Sequence, residues 1–321
     1  MATIAYHASH EQFAPSQLLR YAGAAEKAGF QAIHSSDHFH PWCTAQGHSG
    51  FSFAWLGAAM QATSLPFSMV CAPGQRYHPA IVAQAIATLS EMFPGRFSVE
   101  LGSGEALNEA ITGENWPSKP ERNNRLQECV EVIRRLLKGE VVSHNGAVKV
   151  QEAKLYSLPE QTPLLMGAAL SEVTAEWAGS WADGLITVGG DLDEIRRIKE
   201  AFYRGGGEGK PIYLQVQLSY AATDEEALDG AYEQWHCNVL PPEMLANLSQ
   251  PAGFERAAVN VVPNDIRKKM VVSHSIQLHA DKIVQYLELG VDRIILHNVN
   301  KQQEKFIEDF GNKVIPQLAN R

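Results

Sequence analysis

Short apolar or β-branched runs alternate along this chain with longer stretches in which apolar residues recur every three to four positions. That alternation is the pattern of parallel α/β folds, where buried strands are covered by helices with one apolar stripe. Strands are expected at 3–8, 30–35, 66–71, 97–101, 163–166, 184–188, 211–218 and 291–297. Helices are expected from Pro15 to near Gly29, and at 51–63, 79–92, 121–137, 171–180, 192–204, 224–237 and 281–289, with a closing helix from Gln302. The first and third open on proline, and Thr223 is placed to cap the helix at 224. Two segments break the rhythm. VVSHNGAVKV has an Asn-Gly turn between strand-like runs and reads as an inserted hairpin. Residues 239–270, after the seventh strand, read as an irregular, proline-punctuated insertion. Eight strands, each followed by helical material and with no compositional break, predict a (β/α)8 TIM barrel in a single domain over 1–321.

Composition narrows the function. Forty-five per cent of the 321 residues are hydrophobic, enough for a full core, and the net charge of −9 disfavours nucleic acid and anionic membrane as partners. No apolar run reaches the roughly 18–20 residues that span a bilayer. MATIAYHASHEQ has neither the basic nor the apolar region of a signal peptide, so a cytoplasmic location is expected. Cys43, Cys71, Cys129 and Cys237 are scattered with no CxxC pair, and read as reduced thiols rather than a disulfide or zinc set.

In a TIM barrel the chemistry sits at the carboxyl ends of the strands. His7 and Ser9 end the first strand, and Asp37, His38, Phe39, His40, Pro41 and Trp42 follow the second. The third ends at Val70, Cys71 and Pro73. The fourth delivers Gly102, Ser103, Gly104, Glu105 and, a helical turn later, Asn108. Gly167, Ala168 and Ala169 follow the fifth strand, residues 187–190 the sixth, and His297 ends the last. His34, His38 and His40 invite a metal reading, that of a metal-dependent barrel hydrolase. No matching histidine and aspartate set recurs on later strands, and His38 beside a carboxylate suits proton transfer better; its alternative is a loop-capping histidine. Trp42 is either a loop anchor or an aromatic wall for a flat ligand. GSGEALNE hints at a dinucleotide fingerprint, but Leu107 stands where Gly or Ala is required. Its backbone N–H groups and Asn108 still suit a phosphate or ribityl chain, with Glu105 close to the bound group.

With SDHFHPW, RYHPAIVAQA and GSGEALNEAITG together, the sequence resembles the luciferase-like flavin-dependent oxidoreductases over nearly its whole length. Within them it is most similar to the coenzyme F420-dependent glucose-6-phosphate dehydrogenase group and its FMN-using relatives. The resemblance implies hydride transfer between FMN or F420 and a small organic substrate, or monooxygenation if the cofactor is FMN, in a homodimer. It implies that His38 is the base and that Trp42 and Glu105 stabilise or protonate the intermediate. Asp37, Ser103, Gly104 and Asn108 would contact the cofactor, and Gly167, Ala168 and Ala169 would take its phosphate. Met69 and Val70 would back the ring through a non-proline cis peptide. One departure stands out: Gly190 lies where the sugar-phosphate enzymes carry a lysine, with Arg256 and Lys269 as replacement cations. A third reading is a barrel that binds flavin or a protein partner without catalysis; the joint presence of Asp37, His38, Trp42 and Glu105 argues against it.

Overall fold

The computed structural model describes residues 2–318. The chain runs through β1 (Thr3–Ala8), α1 (Pro15–Lys27), β2 (Ala32–Ser35), α2 (Ser52–Ala62), β3 (Phe67–Cys71), α3 (Pro79–Met92), β4 (Phe97–Leu101), α4 (Ala106–Glu109) and α5 (Lys119–Leu137). A hairpin of β5 (Val142–Asn145) and β6 (Lys149–Ala153) precedes β7 (Leu165–Ala168), α6 (Glu172–Gly179), β8 (Leu185–Val188), α7 (Leu192–Phe202), β9 (Ile212–Ser219) and α8 (Asp224–Trp235). Then come α9 (Pro242–Asn247), α10 (Pro251–Ala257), α11 (Pro263–Arg267), β10 (Val271–Val272), α12 (Ile276–Leu287), β11 (Arg293–Asn298), α13 (Gln303–Asp309) and α14 (Ile315–Leu318).

Eight strands pair in parallel in the order β1, β2, β3, β4, β7, β8, β9, β11. The sheet closes where β11 pairs with β1, Tyr6 opposite Leu296, so the expected (β/α)8 TIM barrel is realised. Strand residues alternate between two environments. Ala5, Ala32, Met166, Ile186, Tyr213 and Ile295 pack together inside the barrel. Ile4, Tyr6, Ile33, Phe67, Met69 and Val99 face outward and meet the apolar stripes of the helices, such as Leu18 and Ala22 of α1 and Val82 and Ile86 of α3. Each large side chain buried there contributes roughly 1.5–3 kcal/mol, and this layer holds the strand ends in place.

Beside and beyond this cluster on the inward register, the lumen turns polar. His7 pairs in register with His34 and Glu100 with Met166, and His297 lies two residues beyond Ile295. The Nδ1 atoms of His7 and His34 are 2.7 Å apart, so one ring donates and the other accepts. Burial lowers His34 to about 3 and His297 to about 4, keeping both neutral at pH 7, and raises Glu100 to about 7.

Three readings change. The 239–270 insertion is not irregular: α9, α10 and α11 each open on a proline at the first turn, where its missing N–H costs nothing. The 106–109 helix was not anticipated because one turn carries no period. Every peptide bond among the described residues is trans, including Met69 to Val70, since all five β3 residues stay in unbroken parallel register with β4.

Candidate active site

The carboxyl-end mouth has a partly open floor above a closed lumen. Val70, Ala168, Gln215 and Gln217 are half-buried and Val188 is exposed, whereas Glu100 and His297, opposite Val70 and Gln217 in register, are buried, as are His7 and His34. Val70, Ala168 and Val188 give an apolar face, and Gln215 and Gln217 add polar groups beside it, a combination that suits a flat ring with polar edges. Around it stand the loops after β1, β2, β3, β4 and β7.

His38 is fixed by three contacts. Its Nε2 lies 3.1 Å from Glu11 Oε1, and Glu11 Oε2 accepts hydrogen bonds from Ser9 at 2.9 Å and Ser36 at 2.6 Å. Burial pushes the Glu11 carboxyl up, but the charge on His38 and the Ser36 hydroxyl outweigh it and hold Glu11 below its usual value. Ionised Glu11 therefore places the imidazole proton on Nε2. Nδ1 then accepts from Asn108 Nδ2 at 3.2 Å, an orientation set because Asn108 Oδ1 accepts from the Phe39 N–H at 3.0 Å. The carbonyl of His40 also lies 3.2 Å from Nδ1. The ring thus has a donor facing Nδ1 when neutral and an acceptor waiting when protonated, which is what a proton carrier needs. Trp42 is buried with its ring centroid 5.2 Å from that of His38, and Phe254 of α10 packs edge-on against it at 5.3 Å.

Asp37 belongs to a second buried network. Its Oδ2 takes the Arg76 guanidinium at 2.7 Å and its Oδ1 the Tyr77 hydroxyl at 3.0 Å. Arg76 also meets Glu109, with Nε at 3.4 Å from one oxygen and its backbone N–H at 2.8 Å from the other. Burial raises both carboxyls, and Arg76 limits the rise. The network joins the loops after β2, β3 and β4 under the mouth.

In GSGEALNE, Gly104 has φ +80°, and a Cβ there would lie 3.0 Å from Glu109 Cγ and 3.3 Å from Ala72 Cβ. Only glycine fits this turn. Ser103 accepts from the Lys119 ammonium at 2.7 Å, and Arg122 donates to the Gly104 carbonyl at 3.0 Å. The Glu105 side chain makes no hydrogen bond or ion pair among the described residues. Desolvation raises it to about 7, with Glu11 and Glu109 adding and His38 and Arg122 opposing. It is an acid poised near neutrality beside the proposed base.

Other assigned residues fall differently. Met69 packs in the outer core, so only Val70 of that pair reaches the mouth. Gly167 is small because a Cβ would meet Ala178 at 2.9 Å and Ala182 at 3.2 Å in the covering helical layer. The N–H groups of Gly167 and Ala169 bond to Gly184 and Ile186, which commits them to the β8 ladder. Arg256 and Lys269 are exposed and make no ion pair among the described residues. His34 pairs with His7 and His40 with the Leu107 carbonyl, so the fold does not gather His34, His38 and His40 into a metal site. Reading the sequence missed Glu11, Arg76, Tyr77 and Glu109. Glu11 lies just past the first strand and Arg76 in the RYHP run, both within reach of the strand-end rule.

The barrel mouth thus sets a carboxylate-held histidine, a glutamic acid raised toward neutrality and a buried tryptophan next to one another, a site that can move a proton beside a flat ligand. Residues 1–293 match the luciferase-like monooxygenase family, and the chain belongs to it. It is 33% identical to an F420-dependent glucose-6-phosphate dehydrogenase of Microbacterium testaceum, covering 98% of this chain and 97% of the relative. A protein of the same description from Kribbella flavida is 34% identical, with 98% of each covered. Among solved structures, an F420-dependent secondary alcohol dehydrogenase in complex with an F420–acetone adduct superposes with a TM-score of 0.90 at 31% identity, covering 98% of this chain and 99% of that one.

Proposed function

We propose that this chain is a flavin- or deazaflavin-dependent oxidoreductase that moves hydride between FMN or F420 and a hydroxyl-bearing carbon of a small organic substrate. The observation that carries this reading is the Glu11–His38–Asn108 arrangement beside Trp42 and Glu105 at an accessible barrel mouth. The residues present fit such a cofactor: Val70, Ala168 and Val188 offer a flat floor, and the Gly104 turn leaves room for close backbone approach. When bound, the cofactor supplies two-electron hydride chemistry, and FMN adds reactivity with oxygen.

The chain's own residues would act as follows. His38 Nδ1 takes the substrate hydroxyl proton as hydride leaves the carbon, the substrate hydroxyl first displacing the Asn108 amide from Nδ1, and the His40 carbonyl receives the new N–H. Glu11 balances the imidazolium. Glu105, protonated below about pH 7, supplies a proton to charge developing at the mouth. Trp42 walls the substrate against His38. Gly190, in place of a lysine, supports an unphosphorylated substrate, and the likeness to a secondary alcohol dehydrogenase points the same way. We read the chain as one functional unit over 1–321, homodimeric and cytoplasmic, on the strength of the family likeness. No helix among the described residues is long and apolar enough to cross a membrane.

The experiment is a pH profile of kcat for alcohol oxidation with the wild type and Glu105→Gln. The Glu105 acid form is present below about pH 7 and lost above it, so wild-type turnover falls as pH rises through about 7. Glu105→Gln loses this limb and is slower at pH 6. An unchanged limb in the variant contradicts the acid role.

Gly104→Ala carries a smaller expected effect. The alanine meets a positive φ and a 3.0 Å contact, so it destabilises the protein by about 1–2 kcal/mol. It also weakens cofactor binding, both readable by denaturation with and without cofactor.

A further inference from the structure

All four cysteines are free, and although Cys43 and Cys237 are far apart in sequence, the fold brings them together beside one histidine. We propose that Cys43, His236 and Cys237 form a binding site for a soft divalent transition metal, zinc in the first instance. The metal would tie the Trp42 loop to the segment after α8.

One ligand atom of each residue lies within 4.8 Å of the others, and His236 Nε2 is 3.4 Å from Cys237 Sγ. A tetrahedral zinc with Zn–S of about 2.3 Å and Zn–N of about 2.0 Å has an N–S edge of roughly 3.5 Å. His236 Nδ1 lies 2.9 Å from the Tyr232 carbonyl and donates to it. That bond leaves the lone pair on Nε2, facing the sulfur, and a carbonyl held this way is the usual outer partner of a metal-bound imidazole.

Both cysteines are fully buried, among Trp42, Leu107, Leu240, Phe254 and Ala258. Two bare thiolates would be costly in such surroundings. With a divalent cation and a neutral imidazole the total charge is zero, which removes most of that cost. Glu255 accepts from the Thr44 N–H at 2.9 Å and lies outside the group, so a water completes the fourth position.

The site has a consequence for the mouth. Cys43 directly follows Trp42, and Phe254 beside Glu255 packs edge-on against the Trp42 ring. A bound metal therefore fixes the aromatic wall next to His38. A disulfide between the two thiols is the competing arrangement; it needs no imidazole and requires an external two-electron oxidant.

The test uses the full chain, reduced and metal-free, titrated with Co²⁺ and then Zn²⁺. One equivalent of Co²⁺ is expected to produce a thiolate-to-cobalt charge-transfer band, and one equivalent of Zn²⁺ to remove it. Cys43→Ser and Cys237→Ser abolish the band. His236→Ala, at a half-buried position, lowers affinity at least tenfold and covers the case in which a cysteine variant fails to fold. Cys129→Ser leaves the band unchanged. A reduced chain that shows no thiolate band overturns the proposal, whether its thiols stay free or close into a disulfide when oxidant is added.

Discussion

His38→Ala is expected to lower turnover about 10²- to 10⁴-fold while leaving cofactor affinity close to wild type. The split follows from position. His38 is held by Glu11 on one nitrogen and by Asn108 and the His40 carbonyl on the other, and none of these contacts forms the floor of the mouth. Removing the ring deletes the proton acceptor but leaves Val70, Ala168 and the Gly104 turn in place. Glu11→Gln gives a smaller fall, because an amide still meets Nε2 but no longer balances the imidazolium. Steady-state kinetics with a cofactor-binding assay checks both. Equal losses in turnover and cofactor affinity would mean that His38 supports the loop rather than the reaction.

Arg76→Met is expected to cost about 3–5 kcal/mol of stability, the largest single loss away from the apolar core. Arg76 is nearly buried and is the cation shared by Asp37 and Glu109, whose side chains are more buried still. Methionine fills the volume but leaves two carboxyls facing each other in a desolvated space. Burial already raises both above their usual values while Arg76 opposes the rise, so losing Arg76 drives them toward protonation. Arg76→Lys keeps the charge but not the fork, and is expected to recover part of the loss. Thermal denaturation of the three proteins reads the order wild type, Arg76→Lys, Arg76→Met. A methionine variant as stable as wild type would show that the network contributes nothing net.

The barrel was legible because its two periods, near-continuous apolar runs and three-to-four spacing, follow directly from strands buried on both faces and helices buried on one. Helices α3 and α8 begin where Pro79 and Thr223 place them. Helices α9, α10 and α11 were not legible, since each spans under two turns and its opening proline also reads as a breaker. At the site, residues on one short stretch were found together, as in SDHFHPW and GSGEALNE. Pairings between loops were not: Glu11 with His38 and Arg76 with Asp37 join loops after adjacent strands, and Cys43 meets Cys237 across the barrel mouth, contacts that no single stretch of sequence displays. Met69 shows the opposite error. The motif marks the right strand end, but the alternation of side chains sends this residue outward to the helices.

The barrel mouth is expected to bind an isoalloxazine-type ring beside His38. Titrating the chain with oxidised F420 and, separately, with FMN while following ligand fluorescence tests it most directly. Saturable binding of at least one of them at one equivalent per chain, weakened by Gly104→Ala, is the expected result. A folded chain that binds neither contradicts the account.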